Sequence, residues 1–348
     1  MPEGLAAILA GAVPQVCPAA VAMIAVDGDV AATAATGELV RYTGADGALA
    51  AERPPVRHDS IFDLASVSKL FTTVVLLSLA EEGRLALDEP AAALVPGLDA
   101  RITPRRLLTH TAGLPPGRRV DRELPDASAA ERMAAIWRTP QAHPVGGPYL
   151  YSDIGMIMAG GLAELAGGAP LDVLLRERVT EVLGLADTGY GPRDPARVAA
   201  TECKAGRPGA GCVRGEVHDE TSWALGGVTG HAGVFATAAD LLAFGETLRR
   251  GGGPVLRPES VAELTRDQGA TGAPFRHGLG VRLGDPAIVG PLSGAYGHSG
   301  FTGTSLVVDP ARRLTVVLLT NAVHPVRGRD GIRELRHAVA AEALRLAT

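Results

Sequence analysis

Segments with the character of β-strands stand near both ends of this 348-residue chain, and mostly helical sequence separates them. Near the start, two apolar runs flank an Asp27-Gly28 turn, which is the pattern of a hairpin. Strands and helices segregated in this way favour an α+β fold. We therefore predict an antiparallel sheet built from both chain ends and flanked by helices. The predicted strands cover residues 21–26, 30–35, 277–283, 304–308 and 314–319.

The middle of the chain predicts an all-helical lobe inserted into this sheet structure. Thr103-Pro104 is a helix cap followed by a first-turn proline, and further helical segments continue to about residue 183. A cleft between the lobes would be lined by the Gly- and Pro-rich segment 184–230 and by 115–148. We expect one catalytic domain over 1–348, with an α/β lobe at about 1–84 and 185–348, a helical lobe at about 85–184, and a last helix at about 327–346.

A long apolar helix is predicted to begin at Ser66 and to end before Gly83. Lys69 lies one turn after Ser66 and is one of only two lysines among 33 basic residues. A chain that uses arginine for ordinary positive charge should keep lysine where an ammonium must be able to lose its proton. Residues three apart on a helix have Cβ atoms about 5–6 Å apart, so Ser66 and Lys69 would share one face. Burial and nearby positive charge would lower the pKa of Lys69 enough for it to accept the Ser66 proton.

Two further motifs accompany Ser66-Val67-Ser68-Lys69. Tyr151-Ser152-Asp153 stands at the start of a predicted helix, and His298-Ser299-Gly300 stands just before the predicted strand 304–308. In order and rough spacing, the three motifs resemble those of the serine β-lactamase and penicillin-binding-protein superfamily, and specifically its class C, esterase-like branch. The stretches 102–114, 226–235 and 302–310 also resemble members of that group, so the resemblance covers most of the chain.

The resemblance implies a β-lactamase/transpeptidase-like fold and assigns roles to single residues. Ser66 would be the acylated nucleophile, Lys69 its proton partner, and Tyr151 the group that passes a proton between serine and leaving group. The backbone N–H groups of Ser66 and Phe301 would form the oxyanion hole. Gly300 would let the strand approach closely, and the substrate-binding and oxyanion-binding set implied by the resemblance is His298, Ser299, Gly300, Phe301 and Asp153.

Two positions depart from the family pattern. Asp153 stands where the family has asparagine, so an acceptor-only carboxylate replaces an amide donor, and it either orients Lys69 or caps the helix. His298 stands where penicillin-recognising members have lysine, and histidine is neutral about half the time near pH 6.5. The loss of a strong cation favours a neutral ester or amide substrate over β-lactams and peptide carboxyl termini.

Composition and charge limit the partners that we expect. The net charge is −5 and the arginines are scattered in pairs, so no basic stripe for nucleic acid is present. No apolar run reaches the ~20 residues that a membrane-spanning helix needs. The early apolar segment lacks a basic start, so we expect no cleaved export signal. Cys17, Cys203 and Cys212 are predicted to be free thiols in a reducing cytoplasm.

A second cluster of polar residues invites a metal hypothesis, which we do not favour. His218-Asp219-Glu220 and His231 match no known zinc spacing, and a polar loop that lines the cleft is preferred. His110 and His143 are expected to be structural histidines. We predict no metal and no cofactor.

These observations predict a serine hydrolase that acts through an acyl-enzyme on Ser66, most simply a carboxylesterase on a small-molecule ester. Three alternatives remain open at this point. The same acyl-enzyme could pass its acyl group to an alcohol or amine, which would make the protein an acyltransferase. The protein could be a weak β-lactamase or D-amino-acid peptidase, or a binding or sensor module that does not turn over.

Overall fold

A seven-stranded antiparallel sheet forms the centre of the protein, and its strand order is β2-β1-β10-β9-β8-β7-β6. The computed structural model describes residues 3–192, 194–207 and 211–347. A small second sheet has the order β3-β5-β4. The strands are β1 Ala19–Val26, β2 Asp29–Gly37, β3 Phe62–Asp63, β4 Gly189–Tyr190, β5 Val234–Ala236, β6 Arg276–His277, β7 Arg282–Leu283, β8 Tyr296–Ser299, β9 Ser305–Asp309 and β10 Leu314–Thr320.

Helices cover both faces of the central sheet and form most of the middle of the chain. Their bounds are α1 Glu3–Ala12, α2 Ser68–Glu81, α3 Pro104–Leu108, α4 Val120–Glu123, α5 Ala129–Trp137, α6 Asp153–Gly167, α7 Leu171–Leu175, α8 Glu181–Leu183, α9 Glu220–Ala224, α10 Ala238–Arg249, α11 Pro258–Thr265, α12 Pro286–Val289 and α13 Ile332–Leu346. Single 3₁₀ turns lie at Ala65–Val67, Ala91–Ala93 and Pro195–Arg197, and a π-helical turn at Arg176–Thr180 joins α7 to α8.

The sheet joins the two ends of the chain, as the sequence predicts. Strand β1 pairs antiparallel with β10 from Ala20↔Thr320 to Val26↔Leu314. Side chains of a strand alternate between the two faces, and in β1 both faces are buried. Ala22 and Ile24 pack with α1 and α13, while Val21 and Ala25 belong to a second core. The α+β fold with a sheet built from both ends is confirmed.

The second core carries the functional region, because it includes α2 and the helices of the middle segment. Twelve consecutive residues of α2, Ser68–Leu79, are buried, as expected for the apolar helix predicted after Ser66. Phe71 of α2 stacks on Phe244 of α10 with ring centroids 4.1 Å apart. Helix α6 packs beside α2 in the same core. The nucleophile helix is therefore fixed on several sides.

Two predicted elements differ from the structure. The predicted strand 277–283 is divided into β6 and β7 by a tight turn in which the Gly278 N–H donates to the Val281 carbonyl. The last helix begins at Ile332 rather than near 327, because Gly331 adopts a left-handed conformation (φ 95°) at its cap. Both differences arise at glycines.

The prediction of three free cysteines is wrong for two of them. Cys203 and Cys212 form a disulfide, and only Cys17 is a free, buried thiol among the described residues. The two cysteines face each other across an isolated antiparallel bridge, and their spacing of nine residues does not by itself reveal this pairing. The argument for a reducing compartment from unpaired cysteines therefore fails for this pair.

Within the described ranges, no single helix has the length and apolarity to cross a bilayer; only α6 with Leu171–Leu183, bent by 78°, reaches that length as a pair.

Candidate active site

Ser66 lies on a 3₁₀ turn, Ala65–Val67, that runs directly into α2. The sequence predicts an α-helical first turn here, and the structure replaces it with this tighter turn. Ala65 has a φ of 47°, a left-handed conformation that is costly for a residue with a side chain. The Ala65 N–H donates to Asp63 Oδ1 at 2.8 Å, which helps to hold that conformation. The turn thus presents Ser66 at the edge of the core rather than within it.

The Lys69 ammonium is completely buried beside three oxygen atoms. Its Nζ donates to Ser66 Oγ at 2.8 Å and to the His231 carbonyl oxygen at 3.1 Å, and it forms an ion pair with Asp153 Oδ1 at 2.8 Å. Ser66 and Lys69 share one face, as predicted from their spacing.

The prediction that the pKa of Lys69 is lowered is wrong. Burial acts to lower the pKa of Lys69, but the Asp153 carboxylate and the Tyr151 oxygen oppose burial, and the net pKa is raised above its ordinary value. Burial and neighbouring cations alone would lower the pKa of Lys69, but the Asp153 carboxylate lies 2.8 Å from the amine. The arrangement therefore favours the charged form of Lys69.

Tyr151 also contacts Ser66 Oγ. Its hydroxyl oxygen lies 3.0 Å from Ser66 Oγ, and the Lys69 ammonium lies 5.0 Å from the centre of its ring. Tyr151 stands in the extended segment that leads into α6. The structure thus brings together Ser66, Lys69 and Tyr151, although Ser66 and Tyr151 are 85 positions apart in the sequence.

The structure decides between the two predicted roles of Asp153. The cap of α6 is Ser152, whose hydroxyl accepts the Gly155 N–H at 3.0 Å, so Asp153 does not serve as the cap. Asp153 instead pairs with Lys69. Its position favours a role in orienting Lys69 and stabilising the lysine cation rather than in contacting a substrate carbonyl.

The Gly300 region forms the opposite wall of the site. A Cβ atom on Gly300 would overlap the Leu64 carbonyl and the Thr304 hydroxyl, so only glycine allows this approach to the nucleophile turn. Thr304 donates to the Leu64 carbonyl at 2.9 Å, which ties the two segments together. Phe301 is 59% exposed at the mouth of the cleft. The proposed oxyanion role of the Ser66 and Phe301 N–H groups stays a prediction.

His298 is buried beside these residues and is neutral. Burial, with the Arg282 and Lys69 charges nearby, lowers the pKa of His298 well below its ordinary value. Its Nδ1 lies 2.9 Å from the Ser299 carbonyl, so Nδ1 carries the proton, and its Nε2 is buried without a partner among the described residues. His298 therefore supplies no cation to the cleft, in agreement with the expected weakness for anionic groups at that position.

Three arginines line the same cleft as Ser66, namely Arg329 and the pair Arg282 and Arg336, and no sequence pattern singles them out. Arg282, from β7, lies over the Tyr151 ring with its guanidinium carbon 5.2 Å from the ring centre. Arg336, from α13, donates to the Gly300 and Thr304 carbonyls at 3.2 Å. In a chain with 33 basic residues, nothing local distinguishes these two from surface arginines. The cleft has a volume of about 420 Å³, within the size range of small-molecule sites.

The His218-Asp219-Glu220 segment and His231 form a polar network behind Lys69, in which His218 and His231 are buried. His231 Nε2 lies 2.9 Å from Asp219 Oδ1, and the Asp219 carboxylate also caps α9. His218 Nε2 lies 2.9 Å from Glu202 Oε2, and Glu220 pairs with Lys204 at 2.8 Å. Each of these residues has a protein partner, and their contacts hold the segment next to the nucleophile turn.

One group of metal-type ligands exists among the described residues, at Cys203, Cys212 and His324. The two cysteines are joined in the disulfide. His324 Nδ1 lies 2.8 Å from the Thr201 carbonyl, and its Nε2 accepts the Arg41 N–H at 3.1 Å. A metal would have to replace all of these contacts, so we assign no metal role to the group.

Replacing Asp153 by asparagine should move the alkaline limb of kcat/KM to lower pH. The carboxylate stabilises the Lys69 cation and raises its pKa, so a neutral amide of the same shape should lower that pKa and let the ammonium deprotonate sooner. Rates of ester hydrolysis measured from pH 6 to 11 would test this. Asp126→Asn, at an exposed position before α5, is the matched control. An unchanged alkaline limb in Asp153→Asn would contradict the assignment.

Comparison with known proteins identifies the family. The model of the Beta-lactamase family matches residues 13–341. The chain belongs to this family. A relative from Escherichia coli K12, named as a putative D-alanyl-D-alanine carboxypeptidase, is 31% identical in an alignment 344 positions long that covers 87% of this chain and 78% of the relative. This β-lactamase-family protein is thus a member of the serine β-lactamase and penicillin-binding-protein superfamily.

Solved structures share the fold of this β-lactamase-family protein. EstCE1, described as a hydrolase with promiscuous acyltransferase activity, has a TM-score of 0.75 and 24% identity over 97% of this chain and 98% of its own. Simvastatin synthase LovD from Aspergillus terreus has a TM-score of 0.74 and 22% identity over 99% and 98% of the two chains. A penicillin-binding-protein homologue from Caulobacter crescentus has a TM-score of 0.74 and 22% identity over 98% and 96%. At these identities the likeness concerns the fold alone.

Proposed function

We propose that this serine hydrolase cleaves small carboxylic esters through an acyl-enzyme on Ser66. The observation that carries the proposal is the position of Ser66 Oγ, within hydrogen-bonding distance of both Lys69 Nζ and Tyr151 Oη. A serine hydroxyl is a weak nucleophile until an adjacent group takes its proton. Lys69 and Tyr151 divide this task. The Lys69 ammonium can stabilise negative charge, and the Tyr151 oxygen can accept the Ser66 proton.

In the acylation step, Ser66 Oγ attacks the ester carbonyl carbon, and Tyr151 relays the proton: its oxygen takes the Ser66 proton while its own hydroxyl proton passes to the alcohol oxygen as the C–O bond breaks. Lys69, as a fixed ammonium 2.8 Å from Ser66 Oγ, stabilises the negative charge that develops on the serine and the tyrosine. A water molecule repeats the sequence on the acyl-enzyme and releases the acid.

A neutral ester suits this cleft because the residue of the third motif is uncharged. His298 is buried, and burial is the main cause that lowers its pKa well below the ordinary value. The position that would hold a β-lactam carboxylate therefore carries no ammonium or imidazolium. This supports ester over β-lactam substrates.

The test is turnover of p-nitrophenyl esters, β-lactams and a D-alanyl-D-alanine peptide, with intact-mass detection of adducts on Ser66. We expect release of p-nitrophenol and a transient acyl adduct from the esters. Adducts that never clear would favour a sensor. A transfer product that increases with added alcohol or amine would favour an acyltransferase, and turnover confined to β-lactams would overturn the ester assignment.

A second candidate function is carboxypeptidase action on a D-amino-acid terminus. It is favoured by Arg282 and Arg336, which with Arg329 are the three arginines that line the cleft of Ser66. Burial and the Arg282 charge lower the pKa of Arg336 to about 10, so this pair would gain from an anionic group between them. The relative from E. coli K12 is named for this class of activity.

Replacing Arg282 by glutamine should separate the two candidates. Hydrogen bonds to charged groups contribute about 1.5–3 kcal/mol, so KM for a carboxylate-bearing substrate should rise by roughly 10-fold or more. KM for a neutral p-nitrophenyl ester should change by less than about 3-fold, since that substrate offers no charge to lose. Arg312→Gln, on the solvent side of the β9–β10 turn, is the control. Equal effects on both substrates would reject a carboxylate subsite at Arg282.

A further inference from the structure

His110 holds the chain on both sides of Tyr151. Its backbone carbonyl accepts the N–H of Leu150 at 3.0 Å, and its ring nitrogen Nδ1 accepts the N–H of Ser152 at 3.1 Å. The two donors are the residues immediately before and after Tyr151. One residue thus fixes the main chain that carries the tyrosine at two points.

The His110 ring can make this contact only in one neutral form. A backbone N–H can only donate, so Nδ1 must be unprotonated and the ring proton must lie on Nε2. His110 is 3% exposed, and burial together with the charges of His277 and Lys69 lowers its pKa well below the ordinary value. The other titratable or charged groups that face it are His298, Arg282, Tyr149 and Tyr151. The neutral acceptor form is therefore maintained at physiological pH.

The backbone of His110 is in an uncommon conformation that serves this contact. Its φ is 56°, in the left-handed region, where residues with a side chain are uncommon and asparagine, aspartate and histidine are enriched. Such conformations persist where surrounding contacts hold them in place. Here the contacts are the two hydrogen bonds to the Tyr151 segment and the His110 N–H to the Leu107 carbonyl at 3.2 Å.

The ring of His110 also packs against the phenol itself. The two ring centroids are 4.7 Å apart, and the planes are tilted by 42°. Lys69 Nζ and the Arg282 guanidinium carbon lie 5.0 and 5.2 Å from the centre of the same Tyr151 ring. The direction of the Tyr151 hydroxyl toward Ser66 therefore depends on His110 both through the main chain and through the ring.

We infer that His110 is a positioning residue that sets the approach of Tyr151 to Ser66 Oγ through the Ser152 N–H to Nδ1 hydrogen bond. The inference rests on the proposed proton transfer from Ser66 to Tyr151. His110 does not touch the reacting atoms, so its effect should appear in the rate of serine attack and not in substrate affinity. A displacement of about 1 Å in a reacting group can reduce a rate 10²-fold, which sets the scale of the effect.

The test compares His110→Ala with His110→Asn. Asparagine places Oδ1 close to the position of Nδ1 and tolerates the left-handed conformation, so it should keep the Ser152 contact. The readout is the rate constant for Ser66 modification by an alkyl fluorophosphonate, followed by intact mass, in which the Oγ–P bond forms and fluoride leaves. We expect His110→Ala to lower the maximal modification rate by about 10- to 100-fold with the half-saturating concentration unchanged. His110→Asn should recover to within about 3-fold of the parent protein.

His143→Ala is the matched control, because its side chain is exposed. A second measurement separates positioning from general stability: in a Tyr151→Phe background, His110→Ala should have no further effect on the rate, since residues that act as a unit are not additive. Equal rates in His110→Ala and the parent, equal losses in the alanine and asparagine variants, or additive losses with Tyr151→Phe would each overturn the inference. Because the fluorophosphonate needs no natural substrate, a failure of ester turnover alone would leave this test intact.

Discussion

Replacing Ser66 by alanine should lower ester turnover by about 10⁴-fold or more and remove every acyl adduct from the intact-mass spectrum. Loss of the nucleophile leaves only substrate binding and oxyanion contacts, which supply a small residual rate. The variant should remain folded. The Ser66 side chain is at the edge of the core, and Lys69 keeps its hydrogen bond to the His231 carbonyl and its ion pair with Asp153. The free energy of unfolding should therefore change by no more than about 1–2 kcal/mol.

Ser68→Ala is the matched control for this experiment. Ser68 is two residues away and fully buried, and its hydroxyl accepts the Val234 N–H at 3.1 Å, remote from the Tyr151 contact. Its loss leaves a buried donor unsatisfied, so we expect about 1–3 kcal/mol of destabilisation with the adduct on Ser66 retained. Turnover in Ser66→Ala within 10-fold of the parent, or loss of the adduct only in Ser68→Ala, would reject Ser66 as the nucleophile.

The sheet and the nucleophile helix were accessible from sequence because their signals are local and strong. The hairpin at Asp27-Gly28 and the apolar run after Ser66 each predict one element without knowledge of the rest of the chain. The division of 277–283 into β6 and β7 was not accessible, because a glycine turn inside an apolar run changes the backbone and leaves the hydrophobic pattern intact. The Cys203–Cys212 disulfide was not predictable for a related reason, because cysteine pairing depends on how two loop segments meet in the fold.

The candidate active site could likewise be predicted in part from the sequence. Motif spacing brought Ser66, Lys69 and Tyr151 to attention, and the structure places them in contact. Charge was harder to predict, because the pKa of a buried group depends on neighbours from other elements. Asp153, at the start of α6, reverses the expected direction for Lys69. Arg282 and Arg336 reach the cleft from β7 and α13, and no local pattern marks an arginine as facing a cleft.

Because the charged form of Lys69 is favoured, the proposed mechanism assigns proton transfer chiefly to the phenol of Tyr151. Replacing Tyr151 by phenylalanine should therefore lower kcat for ester hydrolysis by about 10²–10⁴-fold, the usual contribution of a positioned proton-transfer group. The ring and its contacts with Lys69 and His110 would be retained, so KM and the melting temperature should change little. Both formation and decay of the acyl-enzyme should slow, since the same oxygen serves serine attack and water attack. Stopped-flow release of p-nitrophenol with time-resolved intact mass measures the two steps separately.

Tyr149→Phe provides the control that isolates the hydroxyl of Tyr151. Tyr149 is two residues earlier, and its hydroxyl is buried with no hydrogen-bond partner among the described residues, so its removal should leave the rate within about 3-fold and cost no stability. If Tyr151→Phe kept a kcat within 3-fold of the parent while Ser66→Ala was inactive, the proton of Ser66 would have to leave by another route. The one remaining basic group within 3 Å of Ser66 Oγ among the described residues is Lys69, so Asp153→Asn would then raise rather than restrict activity at neutral pH, because it frees the amine to accept that proton. The pair of variants thus decides which of the two groups in contact with Ser66 Oγ takes its proton.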